Sequence, residues 1–454
     1  METTIPNRNP LGYAPIGQLM RKFSIPSIIT LIVTYLYNIV DQIFIGQGVG
    51  YLGNAATNVI FPLTVAIAVL LGDGGAAFMN LNLGQGNKTE ASKSAGNVAT
   101  VTVVSALALT IICIIFLKPL CGLLGATADS IQYSLDYGLI IILGFPFTNF
   151  ATSVSSLIRA DGSPRYSMAV MLSGAITNTI LDPLFIFGFG WGVKGAAWAT
   201  VIGQAISAVL CVSYFSRFRY IDFSSESLKV KWNALKKMFL LGISSFITQI
   251  AVVIVTSANN IALTTYGAQS VYGADIPLAA LGITMKVNQI LMGFCIGIAA
   301  GCAPIISFNC GAQQVKRVKQ TILYGAGVSV LIMALATICY EVFPLYIVKI
   351  FGTERELYMR FAVKTFRIYL CLAVFNGFQV CIAIFFQALG KPLQAMLVSV
   401  SRQVVFYIPV MLLLSSLMGV EGILWAGPAG DALTFILVLP LILFQFKKFK
   451  EMEG

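Results

Sequence analysis

The chain has 454 residues, of which 57% are hydrophobic and 10% are charged, and its mean hydropathy is +0.86. A soluble domain carries about 25% charged residues, so this composition excludes an ordinary water-soluble protein. The formal net charge of +11 raises the alternative of a nucleic-acid-binding surface, which the placement of the charges along the chain can test.

Apolar runs of about 20 residues, the length that crosses ~30 Å of hydrocarbon as a helix, recur along the whole sequence. They predict an all-α polytopic membrane protein with twelve transmembrane helices. In chain order, predicted spans 1 to 12 cover residues 20–45, 55–83, 94–118, 131–158, 166–189, 193–216, 238–267, 276–306, 320–343, 358–388, 394–418 and 421–446.

Lysine and arginine residues concentrate in every second loop between these spans. If the N-terminus is cytoplasmic, 20 of them fall on the cytoplasmic side and four fall on the outer side, namely Lys118, Lys194, Lys349 and Arg355. Cytoplasmic loops of membrane proteins carry such an excess. We therefore predict a multi-pass protein of the bacterial inner (cytoplasmic) membrane with both termini cytoplasmic. The positive charge follows from this topology, and no nucleic-acid partner is predicted.

The sequence repeats its landmarks at an offset of about 227 residues. GVKGAAWA (Gly192–Ala199) recurs as GVEGILWA (Gly419–Ala426), and RADGSP (Arg159–Pro164) recurs as QALGKP (Gln387–Pro392). Landmarks in the same order predict two six-helix lobes that arose by duplication. Because each lobe has an even number of spans, both insert the same way up, and we expect the substrate at their interface.

The repeats divide the chain into three parts. We predict an N-terminal six-helix lobe at 1–216, a cytoplasmic linker at 217–237 and a C-terminal six-helix lobe at 238–454. The stretch KVKWNALKK (Lys229–Lys237) predicts a short amphipathic helix on the inner leaflet, because basic residues beside aromatic ones often anchor to anionic headgroups. A solvated linker is the alternative.

Two carboxylates, Asp41 in span 1 and Asp182 in span 5, lie inside apolar segments. A charged residue at the bilayer centre costs at least ~2.5–3.5 kcal/mol on insertion scales, so such residues usually face a bundle interior or a water-filled cavity. Thr34, Tyr37 and Asn38 share one helical face with Asp41. This face predicts a polar site inside the first lobe.

Spans 5 and 6 supply further polar groups at a similar depth. Asn178 lies one helical turn before Asp182, and Pro183 leaves the carbonyl of Thr179 without its usual hydrogen bond. If spans 1, 5 and 6 converge, they form a cation-binding site, for which we name Tyr37, Asn38, Asp41, Asn178, Asp182 and Thr200.

The ion that this site binds is either a proton or Na⁺. Two adjoining carboxylates cannot both ionise easily, which favours carriage of a proton. Alternatively, Na⁺ binds to oxygens of Asp41, Asn178, Asp182 and Thr200. The coupling ion is the only cofactor predicted. A purely structural role, in which the carboxylates hydrogen-bond neighbouring helices, remains the competing interpretation.

Among the other charged residues of the predicted spans, four are considered as site or pairing residues and receive no definite role. Asp73 is flanked by glycines in span 2 and fits either a site or a packing hydrogen bond. Lys286, Arg402 and Asp431 in the second lobe predict compensating ion pairs whose partners the sequence does not assign.

Several motifs resemble those of the multidrug and toxic compound extrusion (MATE) family over essentially the whole chain. They are NIVDQIFIG (Asn38–Gly46) and ITNTILDPLFIF (Ile176–Phe187), which is followed by GVKGAAWAT. The latter region and the RADGSP turn are similar to those of the MepA-like bacterial branch. The resemblance implies a V-shaped pair of lobes that open alternately to the two sides. It also assigns a first-lobe cation site to the positions of Asp41, Asn178, Asp182 and Thr200.

The predicted function is therefore secondary active antiport and not enzymatic catalysis. The resemblance implies efflux of amphipathic, often cationic compounds, driven by inward Na⁺ or H⁺. We predict export of drugs or metabolites by a monomer in the lipid bilayer. Residues predicted to contact the substrate are Tyr35, Phe147, Phe150, Met285 and Met292. The alternatives are a lipid-linked oligosaccharide flippase of the same superfamily and an integral membrane lipid-modifying enzyme.

Overall fold

The structure is a computed structural model that describes residues 9–50, 61–123, 131–350 and 356–453. Within these ranges all regular secondary structure is helical, as predicted. Ten helices are long and apolar enough to span a membrane, and two bent helix pairs complete the twelve spans. The predicted start of span 2, at residues 55–60, lies outside the described ranges.

The first lobe contains eight α-helices in the described residues. In chain order they are α1 (Ile16–Val49), α2 (Phe61–Gly84), α3 (Lys88–Ile115), α4 (Leu117–Leu123), α5 (Ile131–Leu143), α6 (Phe145–Ala160), α7 (Pro164–Pro183) and α8 (Gly192–Tyr214). Helices α5 and α6 form span 4 and are bent by 51° at Gly144. Pro146, in the first turn of α6, explains this bend because it has no backbone N–H to continue the ladder of α5.

The second lobe repeats this order of long helices. They are α9 (Trp232–Ala268), α10 (Asp275–Gly311), α11 (Val315–Val342), α12 (Pro344–Lys349), α13 (Glu356–Tyr369), α14 (Ala373–Ala388), α15 (Pro392–Val400), α16 (Ile408–Met418) and α17 (Val420–Glu453). Helices α13 and α14 form the second bent span, with an angle of 50°. A π-helical segment, Ser401–Tyr407, joins α15 to α16.

The linker between the lobes is shorter than predicted. The predicted separate amphipathic helix at Lys229–Lys237 is wrong, because residues from Trp232 onward form the first turns of α9. Neither glycine nor proline separates these residues from the apolar run, and alanine, leucine and lysine are good helix formers. The membrane helix therefore continues through them to its N-terminus.

Each lobe packs against the beginning of the other lobe's first helix. Leu19 and Phe23 of α1 are buried in the hydrophobic core of the second lobe. Met238 and Leu241 of α9 are buried in a core of the first lobe. This exchange follows the sequence duplication and brings α1, α2, α9 and α10 together at the interface of the lobes.

Polar contacts fix the N-terminal segment to the second lobe and the start of α9 to the first lobe. Arg317 donates from Nη2 to the carbonyl oxygens of Leu11 (3.0 Å) and Ala14 (2.7 Å). On the opposite lobe, Asn97 Oδ1 accepts from the backbone N–H of Lys231 at 3.1 Å, and Asn97 Nδ2 donates to its carbonyl at 3.3 Å. The two lobes are therefore connected at both crossings, at the end that carries the N-terminus and the linker.

Glycines allow the lobes to approach closely at this same end. A Cβ atom added to Gly311 on α10 would lie 2.1 Å from the carbonyl oxygen of Leu81 on α2, and one added to Gly84 would lie 2.0 Å from that of Phe308. Side chains larger than hydrogen do not fit between these backbones. Small residues are typical of such close crossings in membranes, so this end of the interface is closed in the structure.

Gly311→Ala is expected to separate the lobes at this end. Overpacking a tight contact costs about 1–3 kcal/mol, which is enough to shift a balanced equilibrium several-fold toward a separated state. Distances between spin labels at Gln85 and Gln313, introduced in a cysteine-free background, should lengthen or broaden. Gly282→Ala on the same helix is the matched control, because an added Cβ there meets nothing within 4 Å. Identical distance distributions for both variants would contradict this account of the closed end.

Candidate cation site and central cavity

Helices α1, α7 and α8 bring the predicted polar residues together inside the first lobe. Asp182 is completely buried, and Asn178 and Thr200 are 3% and 7% exposed. Asn178 Nδ2 donates to Asp182 Oδ1 (3.2 Å) and to Thr200 Oγ1 (3.1 Å). A single amide thus connects a carboxylate of one helix to a hydroxyl of the next.

Local sequence explains why α7 and α8 come so close. Gly174 on α7 faces Gly203 on α8, where an added Cβ would lie 2.5 Å from the carbonyl oxygen of Gly174. This contact allows Asn178 to reach Thr200 across the helix pair. After Pro183 the helix continues as a π-helical turn, Leu184–Gly188, which is a common response to a missing backbone donor.

Asp41 of α1 adjoins the carboxyl group of Asp182. Three buried oxygens of this cluster have no hydrogen-bond partner within the described residues, namely Asp41 Oδ1, Asn178 Oδ1 and Asp182 Oδ2. Each unpaired buried polar group costs about 1–3 kcal/mol. All three are acceptors, so a proton or a small cation is the kind of ligand that satisfies them.

Two tyrosines lie within electrostatic range of both carboxyl groups. Tyr37 is the residue named from the sequence, one turn before Asp41. Tyr137 of α5, which is 3% exposed, was missed by the sequence analysis. The sequence shows only that it lies in a predicted span. Tyrosines in spans are common at packing positions, so this location does not indicate a site. The folding of α5 against α8 makes it part of the cluster.

A cavity of about 550 Å³ lies beside this cluster. Of the six predicted site residues, four line it, namely Tyr37, Asn38, Asn178 and Thr200. Asp41 and Asp182 are not among its lining residues, so the carboxyl pair lies behind the wall that the other residues form. Asn38 is exposed to the cavity, and the hydrogen bonds of the described residues do not connect it to either carboxylate.

One of the five residues predicted to contact the substrate lines this cavity. It is Tyr35, whose ring packs against Gly293 of α10. Phe147 and Met285 are 41% and 37% exposed but do not line the cavity. Phe150 stacks on Phe215 with ring centroids 6.1 Å apart, and Met292 belongs to the core of the second lobe. These four residues therefore do not line the cavity in this conformation.

Asp73 connects the two lobes at the closed end of the cavity. Its Oδ1 accepts from Ser156 of α6 (3.0 Å), and its Oδ2 accepts from Ser245 of α9 (3.1 Å). The Ser245 hydroxyl also lies 3.2 Å from Gln387 Oε1 of α14. The sequence left the role of Asp73 open, and the structure places it in a hydrogen-bond network that crosses the interface.

The embedded charges of the second lobe form one of the predicted ion pairs. Arg402 Nε donates to Asp431 Oδ1 at 2.8 Å, and Gln379 donates to the carbonyl oxygen of Asp431 at 2.6 Å. Lys286 instead donates to Gln42 Oε1 on α1, at 3.1 Å. The Arg402–Asp431 pair lies within the second lobe and away from the lining of the cavity, so its place in the fold is that of a packing contact between helices.

Comparisons with known proteins agree with this architecture. Multidrug export protein MepA of Staphylococcus haemolyticus is 27% identical over 422 residues, which is 90% of each chain. A protein named FAD transporter from Shewanella oneidensis is 26% identical over 440 residues, or 94% of each chain.

Solved structures match over nearly the full length. The MATE multidrug transporter DinF-BH superimposes with a TM-score of 0.88 at 32% identity, covering 96% of this chain and 97% of that one. A multidrug resistance MATE family transporter in an outward-facing conformation gives 0.89 at 19% identity, with 97% and 98% coverage, and so supports the fold. The MatE family profile matches residues 26–184 and 245–413, one match in each lobe. The chain therefore belongs to the MatE family of multi-pass membrane transporters.

Proposed function

We propose that the protein is a secondary active antiporter that exports amphipathic, cationic drugs or metabolites from a bacterial cytoplasm in exchange for H⁺ or Na⁺. The observation that carries this proposal is the pair of adjoining carboxyl groups with unpartnered oxygens behind the cavity wall. The printed names of relatives, multidrug export protein and multidrug transporter, support the substrate class. No catalytic reaction is part of the proposal.

Cation binding at this cluster can drive export only if it changes the balance between two conformations. A ligand shifts such a balance through its different affinities for the two states. The carboxylates lie on α1 and α7, and α1 also packs against α10 at the interface of the lobes. Protonation or Na⁺ binding would change the charge and hydrogen bonding of α1 and thereby its packing on the second lobe.

The closed end of the interface corresponds to the cytoplasmic side in the proposed topology. The excess of lysine and arginine in the loops supports this orientation. The conformation described here would then be closed to the cytoplasm, and alternating access would require the glycine contacts at Gly84 and Gly311 to separate. The working unit is proposed to be a monomer in the bilayer, with the coupling ion as its only cofactor.

Proteoliposomes test this proposal. Purified full-length protein should drive movement of the fluorescent cation rhodamine 123 against its gradient when a pH gradient or a Na⁺ gradient is imposed in separate runs. The gradient that supports transport identifies the coupling ion. Absence of uphill movement under both gradients, with protein confirmed in the vesicles, would refute antiport.

A further inference from the structure

Two charged residues, Asp73 and Arg159, are present among the residues that line the cavity, and they have opposite signs. Most of the remaining polar lining consists of neutral hydroxyl and amide groups. They include Thr30, Thr34, Asn80, Thr152, Gln204 and Gln249. Hydrophobic side chains, among them Leu31, Val69 and Ile296, form much of the rest of the lining. A mixed lining of this kind suits an amphipathic substrate that carries a charge at one end.

Arg159 uses little of its hydrogen-bonding capacity within the protein. Its Nη2 donates to Ser156 Oγ at 2.9 Å, and the described residues provide no other acceptor for the guanidinium. A guanidinium has five N–H donors. Arg159 is half-buried and lines the cavity, so its unused donors are available to a bound molecule.

Asp73 does not neutralise Arg159 by direct contact. The two side chains interact electrostatically, but no ion pair within 4.0 Å joins them in the described part of the chain. Both carboxylate oxygens of Asp73 already accept serine hydroxyls, from Ser156 and Ser245. The positive group therefore remains without an anionic partner in contact with it.

The duplication shows that this charge is particular to the first lobe. The RADGSP and QALGKP motifs place Gln387 at the position that corresponds to Arg159. Both residues line the same cavity. The fold thus accepts a neutral amide at the equivalent helix end, and helix packing by itself does not demand arginine there.

We propose that Arg159 forms a subsite for an acidic group of the substrate, a carboxylate or a phosphate, at the closed end of the cavity. The planar guanidinium fork fits either group with two parallel hydrogen bonds. The transported compounds then include zwitterions and acidic polar metabolites in addition to simple cations. A volume of about 550 Å³ is in the range of small-molecule sites. This inference rests on the proposed transport function and specifies its substrate class.

Rhodamine 110 and rhodamine 123 provide a matched pair of probes. The first has a free carboxylate, and the second is its methyl ester. Equilibrium binding of each to the purified full-length protein is measured by fluorescence anisotropy. We expect wild type to bind rhodamine 110 more tightly than the ester. Arg159→Gln should weaken rhodamine 110 binding at least about tenfold, since a hydrogen bond to a charged group is worth about that much.

The control and the ester distinguish a subsite from a structural role. Arg159→Gln should bind rhodamine 123 within about twofold of wild type, and Arg159→Lys should recover part of the rhodamine 110 affinity. Lys194→Gln removes a positive charge that pairs with Asp136 elsewhere, and it should change neither affinity. An equal loss of affinity for both probes in Arg159→Gln would overturn the subsite. So would tighter binding of rhodamine 123 than of rhodamine 110 by wild type, or binding of neither probe by wild type. If gradient-driven transport of rhodamine 123 by wild type is intact, such a result would contradict the subsite but not the proposed antiport function.

Discussion

Asp41→Asn is expected to abolish gradient-driven export while the protein remains folded in the membrane. The substitution keeps the size of the side chain but removes the group that takes up a proton or neutralises Na⁺. Asp41 adjoins the completely buried Asp182, so its loss leaves a single carboxylate in the cluster. We expect uphill transport of rhodamine 123 in proteoliposomes to fall by more than about tenfold, because removing an interaction with a charged group costs about 1.5–3 kcal/mol.

The companion variant Asp182→Asn tests the second carboxylate of the cluster. It should change the pH or Na⁺ dependence of transport, because it removes the second carboxylate and leaves Asn178 in place. Asp136→Asn is the matched control, since this aspartate pairs with Lys194 at 3.3 Å outside the cluster. Wild-type transport in Asp41→Asn, at equal expression, would remove this residue from the mechanism.

Arg402→Met is expected to cause the largest loss of stability among single substitutions of charged residues. Asp431 is 4% exposed and would lose the guanidinium that contacts its Oδ1 at 2.8 Å. Removing one partner of a buried ion pair costs about 3–5 kcal/mol, because the other charge stays buried without compensation. Thermal unfolding of the detergent-purified protein should show a clear decrease in Tm.

Two further variants test this explanation. The double variant Arg402→Met/Asp431→Leu should recover most of the lost stability, because replacing both members of a buried pair by apolar residues is often neutral. Arg360→Gln breaks an exposed pair with Glu356, and such pairs contribute about 0–1 kcal/mol. A double variant as unstable as Arg402→Met alone would show that the ion pair is not the source of the effect.

Hydropathy and periodicity predicted much of the fold because the bilayer constrains both. A helix must be apolar over about 20 residues to cross hydrocarbon, so the spans were readable from composition. The two-lobe repeat was readable from motifs that recur in the same order in both halves. The predicted helix boundaries were inaccurate where no such constraint applies. The start of α9 at Trp232 is an example, because a helix extension beyond the apolar run has no characteristic length.

In the candidate site, too, some residues were predictable from the sequence and others were not. Asp41 and Asp182 were identifiable because a buried carboxylate is costly in a membrane, and a costly residue indicates a function. Tyr137 and the cavity position of Arg159 gave no comparable signal. Phe147, Phe150, Met285 and Met292 were chosen by residue type, and none of them lines the cavity in the structure.

The amino-acid sequence by itself determined that the protein crosses the membrane about twelve times, that its halves are duplicated and that carboxylates lie within its first lobe. The spans and the cost of their carboxylates depend on the transfer of side chains between water and lipid, which is local to each segment. The duplication is visible in the order of the repeated motifs. The tertiary structure alone decided which polar groups meet, such as Asn178 with Thr200 and Asp73 with Ser245. These contacts depend on helix phase, bends and glycine crossings, and they form only when distant segments pack together.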